Sequence, residues 1–210
     1  GLGDVYKRQI PRLYDATQGE VLVDGVNVKD YDIEALRNKV GIVMQKAVLF
    51  KGTIRENMWM GKKGATDEQI DEALEISQSK EFVDSKQGRL DYVIEQGGKN
   101  LSGGQRQRLT IARAIVRKPD VLILDDSASA LDFATDAALR KAIRGMNNSP
   151  TVFIVSQRAA SLMYADLIIV LDDGQVAGMG THDELLANCE VYKEIYESQF
   201  KKADSEGGVA

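Results

Sequence analysis

The chain has 210 residues, of which 43% are hydrophobic and 28% charged, and a net charge of −5. That length suits one domain, or one domain with a subdomain, and is enough to bury a sizeable core. The composition excludes a disordered chain, and the mild acidity without a basic block gives no footprint for nucleic acid.

The first nine residues, Gly1-Leu2-Gly3-Asp4-Val5-Tyr6-Lys7-Arg8-Gln9, resemble the in-frame translation of a transposon-derived sequencing adaptor. They are read as an assembly scar (residues 1–9) and set aside from the fold. The native protein is expected to continue upstream of Ile10. Glu20 to Gly25 then reads as a strand running into an Asp-Gly turn, with Val26 to Val28 as its hairpin partner. Ile33 to Lys39 reads as a short helix, and Val40 to Met44 as a strand ending at Gln45.

From Thr66 the pattern turns helical. Thr66-Asp67-Glu68 opens a helix with acids in its first turn. Ile70, Ala73, Leu74 and Ile76 follow at helical spacing, and Glu81-Phe82-Val83 starts another short helix. Residues of about 58–112 are expected to form a helical subdomain inserted in an α/β core. Arg106 to Val116 reads as a helix stopped by Pro119. Three apolar runs follow, Val121–Leu124, Thr151–Val155 and Leu167–Leu171. The helical segments Asp132–Met146 and Gln157–Tyr164 separate them. Strands alternating with helices predict parallel β-α units, and near-continuous apolar strands predict a sheet covered on both faces. Asp172-Asp173-Gly174-Gln175 reads as a turn into a short last strand. Thr181–Asn188 and Val191–Lys202 read as terminal helices, and 203–210 as a polar tail. No apolar run reaches the length of a membrane span. Cys189, the single cysteine, cannot close an intrachain disulfide and has no metal-binding spacing around it.

Two places carry chemistry. The run Val121 to Asp126 passes four apolar residues through the core and delivers two carboxylates at its carboxyl end, where open α/β sheets bind ligands. A strand-end aspartate by itself also caps loops. The second place is Leu101-Ser102-Gly103-Gly104-Gln105. Two glycines after a serine let the backbone approach a ligand, and the following helix aims its first amides there, which makes an anion site by geometry and dipole. A glycine pair alone is an ordinary turn; the combination with Asp125 downstream is not.

In order and combination, these segments resemble the nucleotide-binding domain of the ABC transporter family over nearly all of Ile10 to Gln199. Leu101 to Gln105 matches the family signature, Val121 to Asp125 the Walker B strand, and Ser129-Ala130-Leu131-Asp132 the D-loop. Gln45 matches the Q-loop glutamine. Val48 to Asn57 and Gly97-Gly98 are similar to the exporter branch. The resemblance implies a P-loop NTPase-like α/β fold: a parallel sheet flanked by helices, an inserted helical subdomain and a small antiparallel β portion. It implies ATP and Mg2+, with Asp125 and Gln45 as magnesium contacts. It places Leu101, Ser102, Gly103, Gly104, Gln105, Gln45 and Asp132 at nucleotide.

The sequence also departs from the family. The first strand and the Walker A loop, Gly-x-x-x-x-Gly-Lys-Ser/Thr, are absent from this chain, so the 210 residues alone are expected neither to bind ATP tightly nor to hydrolyse it. The family's catalytic base, a glutamate after the Walker B aspartate, is replaced by Asp126, whose carboxylate is drawn back by roughly 1.5 Å. The family's switch histidine is replaced by Gln157, which can donate a hydrogen bond but cannot exchange a proton near neutral pH. His182, the only histidine, opens a terminal helix and reads as structural. Asp172 and Asp173 read as turn residues, and Trp59 and Tyr92 as packing or surface residues.

The expected protein is therefore one subunit of a heterodimeric multidrug-type exporter at the cytoplasmic face of a membrane. A transmembrane domain is expected upstream, and a second nucleotide-binding domain as partner, with Leu101 to Gln105 completing the partner's ATP site. A silent regulatory nucleotide-binding module and an importer-type ATPase remain open. A DNA-repair or chromosome-organising ATPase would carry long coiled coils between Gln45 and Leu101, and Met58 to Asn100 shows no heptads.

Overall fold

A computed structural model describes residues 8–127 and 129–206. Of the expected scar, residues 1–7 lie outside the described residues, as do 207–210 of the expected tail. The described chain falls into two compact units, one ending at Val155 and the other beginning at Ser156.

In the first unit, the hairpin forms as the sequence dictates. Strand β1 (Leu22–Val23) pairs with β2 (Val26–Asn27) across Asp24-Gly25. Both turn residues have positive φ, 51° and 77°, the conformation that a two-residue turn matching strand twist requires. Helix α1 (Ile33–Lys39) starts where the Asp32 carboxylate accepts from the amides of Glu34 and Ala35. It runs directly into β3 (Val40–Val43).

Strand β3, β6 (Val121–Asp125) and β7 (Thr151–Val155) form a parallel sheet in that order. All five residues of β6 are buried, because it is the middle strand and both its faces are covered. Successive side chains of a strand point to opposite faces. Val121 and Ile123 accordingly join a cluster with Val23, Val28, Leu36 and Val40. Leu122 and Leu124 join the larger cluster with Leu49, Ile54, Met58, Leu74 and Leu109. The expectation of two covered faces does not extend to β7. This strand ends the sheet among the described residues, and its Phe153 is 44% exposed.

Between β3 and β6 come β4 (Gly52–Thr53), α2 (Ile54–Trp59), α3 (Asp67–Ile76), α4 (Lys80–Asp84), β5 (Val93–Ile94) and α5 (Gly103–Ile115). Capping boxes start α2 at Thr53 and α3 at Thr66. The apolar spacing read in the sequence turns Ile70, Ala73 and Leu74 of α3 inward. These helices share one core with the even-numbered face of β6. Trp59 donates from its indole to the Ala65 carbonyl, and the Tyr92 hydroxyl accepts from Asn100, so both are packing residues of this region. After β6, helix α6 (Phe133–Arg144) leads to β7.

The second unit corrects two expectations. Residues 157–164 are not an α-helix: a single 3-10 turn, Ala159–Ser161, forms there. The Ser156 hydroxyl accepts from the Arg158 amide, a local side-chain bond that competes with helix formation. The apolar run at 167–171 does not join the parallel sheet. It forms β8 (Ile168–Asp172), antiparallel to β9 (Gln175–Gly180). Asp173 and Gly174, both with positive φ, close the turn, and hairpin pairing of adjacent segments decides the partner. Its burial alternates, with Ile168 and Val170 inside and Ile169 and Leu171 outside. Helix α7 (His182–Asn188) follows a Thr181–Glu184 capping box, and α8 (Glu190–Glu206) runs four residues beyond Lys202. Ile168, Val170, Leu185, Cys189 and Tyr192 form this unit's core. His182 Nδ1 lies 2.9 Å from the Tyr192 hydroxyl, a structural contact.

Candidate functional site

The sequence Leu101 to Gln105 builds a helix start out of purely local contacts. Leu101 is buried and anchors the loop. Ser102, in extended conformation, is the N-cap of α5: its hydroxyl accepts from the Gln105 amide at 3.2 Å. In return the Gln105 side-chain oxygen accepts from the Ser102 amide at 3.1 Å. This reciprocal box leaves the amides of Gly103 and Gly104 in the first turn, where helix geometry provides no internal acceptor. The first turn holds no acidic residue. Arg106 donates to the carbonyls of Leu101 at 2.6 Å and Gly98 at 3.3 Å, which fixes the loop and adds positive charge beside it. Helix dipole, amides and guanidinium together make an anion site.

The two glycines serve different ends. A Cβ at Gly103 would meet nothing closer than Arg106 Nη2 at 3.9 Å, so this position is open. A Cβ at Gly104 would lie 3.3 Å from the Ala130 carbonyl. The segment Ala130-Leu131-Asp132 therefore passes against the start of α5. Asp132 caps α6, accepting from the Thr135 amide and hydroxyl, both at 2.8 Å. The Thr135 amide, above all, holds the Asp132 carboxyl below its usual range.

The strand end is assembled differently. Parallel pairing of β3 and β6, with Val43 opposite Leu124, sets their carboxyl ends side by side. Gln45 thereby reaches Asp126 across 81 positions of sequence, its Nε2 donating to Oδ2 at 3.1 Å. Asp125 is 5% exposed at the last position of β6. Asp126 adopts a positive φ of 42°, which costs an L-residue about 1–2 kcal/mol. Its amide donates to the Val155 carbonyl at 2.7 Å, and its carbonyl accepts from Ser129, from the hydroxyl at 2.8 Å and the amide at 3.2 Å.

Among the described residues no cluster of three or more histidine, cysteine or acidic side chains could hold a metal. Magnesium does not require one, since it commonly keeps waters and phosphate oxygens and takes one or two protein oxygens. The Asp125 carboxylate and the Gln45 amide oxygen, left over from the bond to Asp126, fit such a partial donor set.

Gln157 belongs to the second unit, and its side chain is exposed. Gln199 of α8 holds that turn from both sides: Nε2 donates to the Gln157 carbonyl at 2.6 Å and Oε1 accepts from the Ala159 amide at 2.9 Å. Sequence reasoning missed Gln199, Ser129 and Arg106 as supports. Ser129 lay within the segment Ser129–Asp132 and Arg106 at the start of the helix read from Arg106 to Val116, each read as a whole, whereas nothing local at Gln199 signals a partner 42 positions away. A shallow pocket lined by Gln69, Glu72, Ile76, Lys118 and Asn148 lies elsewhere and contains none of these residues.

A three-stranded parallel sheet with a carboxylate-ended middle strand, a glutamine beside it and a serine-capped helix opening on two glycines defines a nucleotide-binding domain. The family profile described as ABC transporter matches residues 8–129, more than half of the chain, which belongs to that family. The chain is 45% identical over 197 residues to YfiB of Bacillus subtilis, an uncharacterized ABC transporter ATP-binding protein, covering 94% of this chain and 34% of that one. It is 38% identical over 190 residues to a Staphylococcus aureus protein whose name describes a multidrug export ATP-binding/permease, covering 90% and 33%. The solved structure of a bacterial Atm1-family ABC exporter with ATP bound superposes with a TM-score of 0.88 at 32% identity, covering 93% of this chain and 35% of that chain. The chain thus has the ABC fold of an exporter's ATP-binding domain, and spans about a third of the length of these relatives. No helix among the described residues is long and apolar enough to cross a membrane.

Proposed function

We propose that the chain is the ATP-binding motor domain of an ABC-type exporter, coupling ATP binding and hydrolysis to export across a membrane. The fold likeness to an exporter and the relative named for multidrug export support this reading. So does the greater length of the relatives, which leaves room for a fused transmembrane domain. The domain would work at the cytoplasmic face of the membrane, paired with a second nucleotide-binding domain.

One observation carries the finer reading. The anion helix at Leu101 to Gln105 is intact and fully capped, while the positions of base and switch hold Asp126 and Gln157. We infer a division of labour in a heterodimer. The Gly103 and Gly104 amides and Arg106 would face the phosphates of an ATP held by the partner and stabilise charge developing there. Asp132 would hold the adjoining segment in place. At this chain's own strand end, Asp125 and Gln45 would hold magnesium, which when bound neutralises phosphate charge. Asp126 accepts hydrogen bonds but reaches less far than a glutamate, and Gln157 donates one without moving a proton. A strand end so equipped would bind nucleotide and turn it over slowly.

Vanadate trapping of a photoreactive ATP analogue in the assembled native pair tests this. Label should accumulate on the partner's phosphate-binding loop and be weak at this chain's own site. Equal trapping at both sites would overturn the asymmetry. Trapping at neither would favour a silent regulatory module.

A further inference from the structure

Asp126 stands in the left-handed region, φ 42°, which an aspartate visits more readily than most L-residues but which turns its Cβ well away from the extended direction. Its amide bond to Val155 is a continuation of the sheet that any residue could make. Its carbonyl, however, is held by a side chain, the Ser129 hydroxyl at 2.8 Å, together with the Ser129 amide. The direction of the Asp126 Cα–Cβ bond depends on that turn. Returning φ to the extended region would swing Cβ by roughly 160° about the N–Cα bond and take the carboxylate away from Gln45, to which it now bonds.

We propose that Ser129 is a positioning residue for Asp126: by holding its carbonyl it fixes the left-handed turn that aims the carboxylate at Gln45. The end of β6, the segment after β3 and the start of the segment 129–132 then move as one linked unit. The kinetic consequence rests on the reading of Asp126 as the base position; the structural linkage does not.

The test uses the full-length native protein assembled with its partner. Hydrogen exchange is followed in the segments around 44–47 and 125–129. Ser129→Ala should speed exchange about tenfold in both, and Ser129→Thr, which keeps the hydroxyl, should stay near the native rate. Asp126→Ala should loosen the Gln45 segment equally, with no further loosening in the double variant. In an Asp126→Glu background, Ser129→Ala should lower single-turnover hydrolysis at this chain's own site about tenfold, with nucleotide affinity there unchanged. An unchanged Gln45 segment, Thr behaving like Ala, or additive loosening in the double variant would overturn the proposal. If Asp126→Glu brings no turnover while the exchange pattern holds, the base reading fails and the positioning role of Ser129 stands. If the turnover gain appears without the exchange pattern, the positioning role fails and the base reading stands.

Discussion

The start of α5 and the end of β6 solve different problems with different materials. Ser102 and Gln105 satisfy each other three residues apart, and Arg106 reaches back five residues to Leu101. The hydrogen bonds of the helix start thus all lie within residues 98–106, although Ala130 packs against Gly104 and Leu101 is buried in the core. The strand end draws on Gln45, Ser129 and Val155, so its geometry requires the sheet, the turn and the glutamine together. A site built from distant parts has more ways to lose activity. On the proposed reading that is where this chain, with Asp126, departs from the family pattern, while Leu101 to Gln105 keeps it.

Substitutions that separate the two regions sharpen this contrast. The largest effect is expected from Gly103→Asp. The added side chain enters open space, and an acid in the first turn suits the helix, so folding should be unaffected. The negative charge should nevertheless repel phosphate and lower ATP turnover of the assembled pair about a hundredfold, read as steady-state phosphate release. Next comes Asp126→Glu at the other region, which should raise turnover at this chain's own site about tenfold by restoring reach; an unchanged rate in single-turnover measurements would count against the account of that residue.

A smaller effect is expected from Ser102→Ala, which removes the N-cap of α5 and should cost about 1 kcal/mol in thermal or denaturant unfolding. A loss near zero would mean that the capping box does not hold the helix start. The smallest effect lies in acid. Hydrogen bonding, first from the Thr135 amide, depresses the Asp132 carboxyl; a group depressed in the folded state contributes stability that is present above its unfolded pKa, around 4, and is lost as pH falls through the lower folded value. The start of α6 should therefore loosen in that window, and Asp132→Asn should flatten the dependence, as read by unfolding midpoints between pH 5 and about pH 2.

How much of this was legible in the sequence follows from the range of the determining contacts. The Asp24-Gly25 hairpin, the helix Ile33–Lys39 and the cap at Ser102 were readable because their causes lie within a few residues. The buried run Val121–Asp125 was readable as a strand from its composition, and its alternation between two clusters emerged only with the neighbours in place. The run 167–171 predicts a strand of the parallel sheet from its apolarity, which states that a strand is buried and not what it pairs with. Turn chemistry at Asp173-Gly174 decided for the hairpin. In the candidate site, Asp125, Asp126 and Leu101–Gln105 were recognisable by motif. The bond between Gln45 and Asp126, the hold of Ser129 on a left-handed turn and the grip of Gln199 on the Gln157 turn were not, because each depends on a backbone geometry or a distant partner.

The proposed division of labour has this chain contribute more through its serine-capped helix than through its own strand end. Steady-state ATP turnover of the native pair, measured with Gly103→Asp and with Asp126→Asn separately in this chain, tests it most directly. Gly103→Asp is expected to remove nearly all turnover, while Asp126→Asn leaves most of it. Loss of turnover with Asp126→Asn and its survival with Gly103→Asp would contradict it.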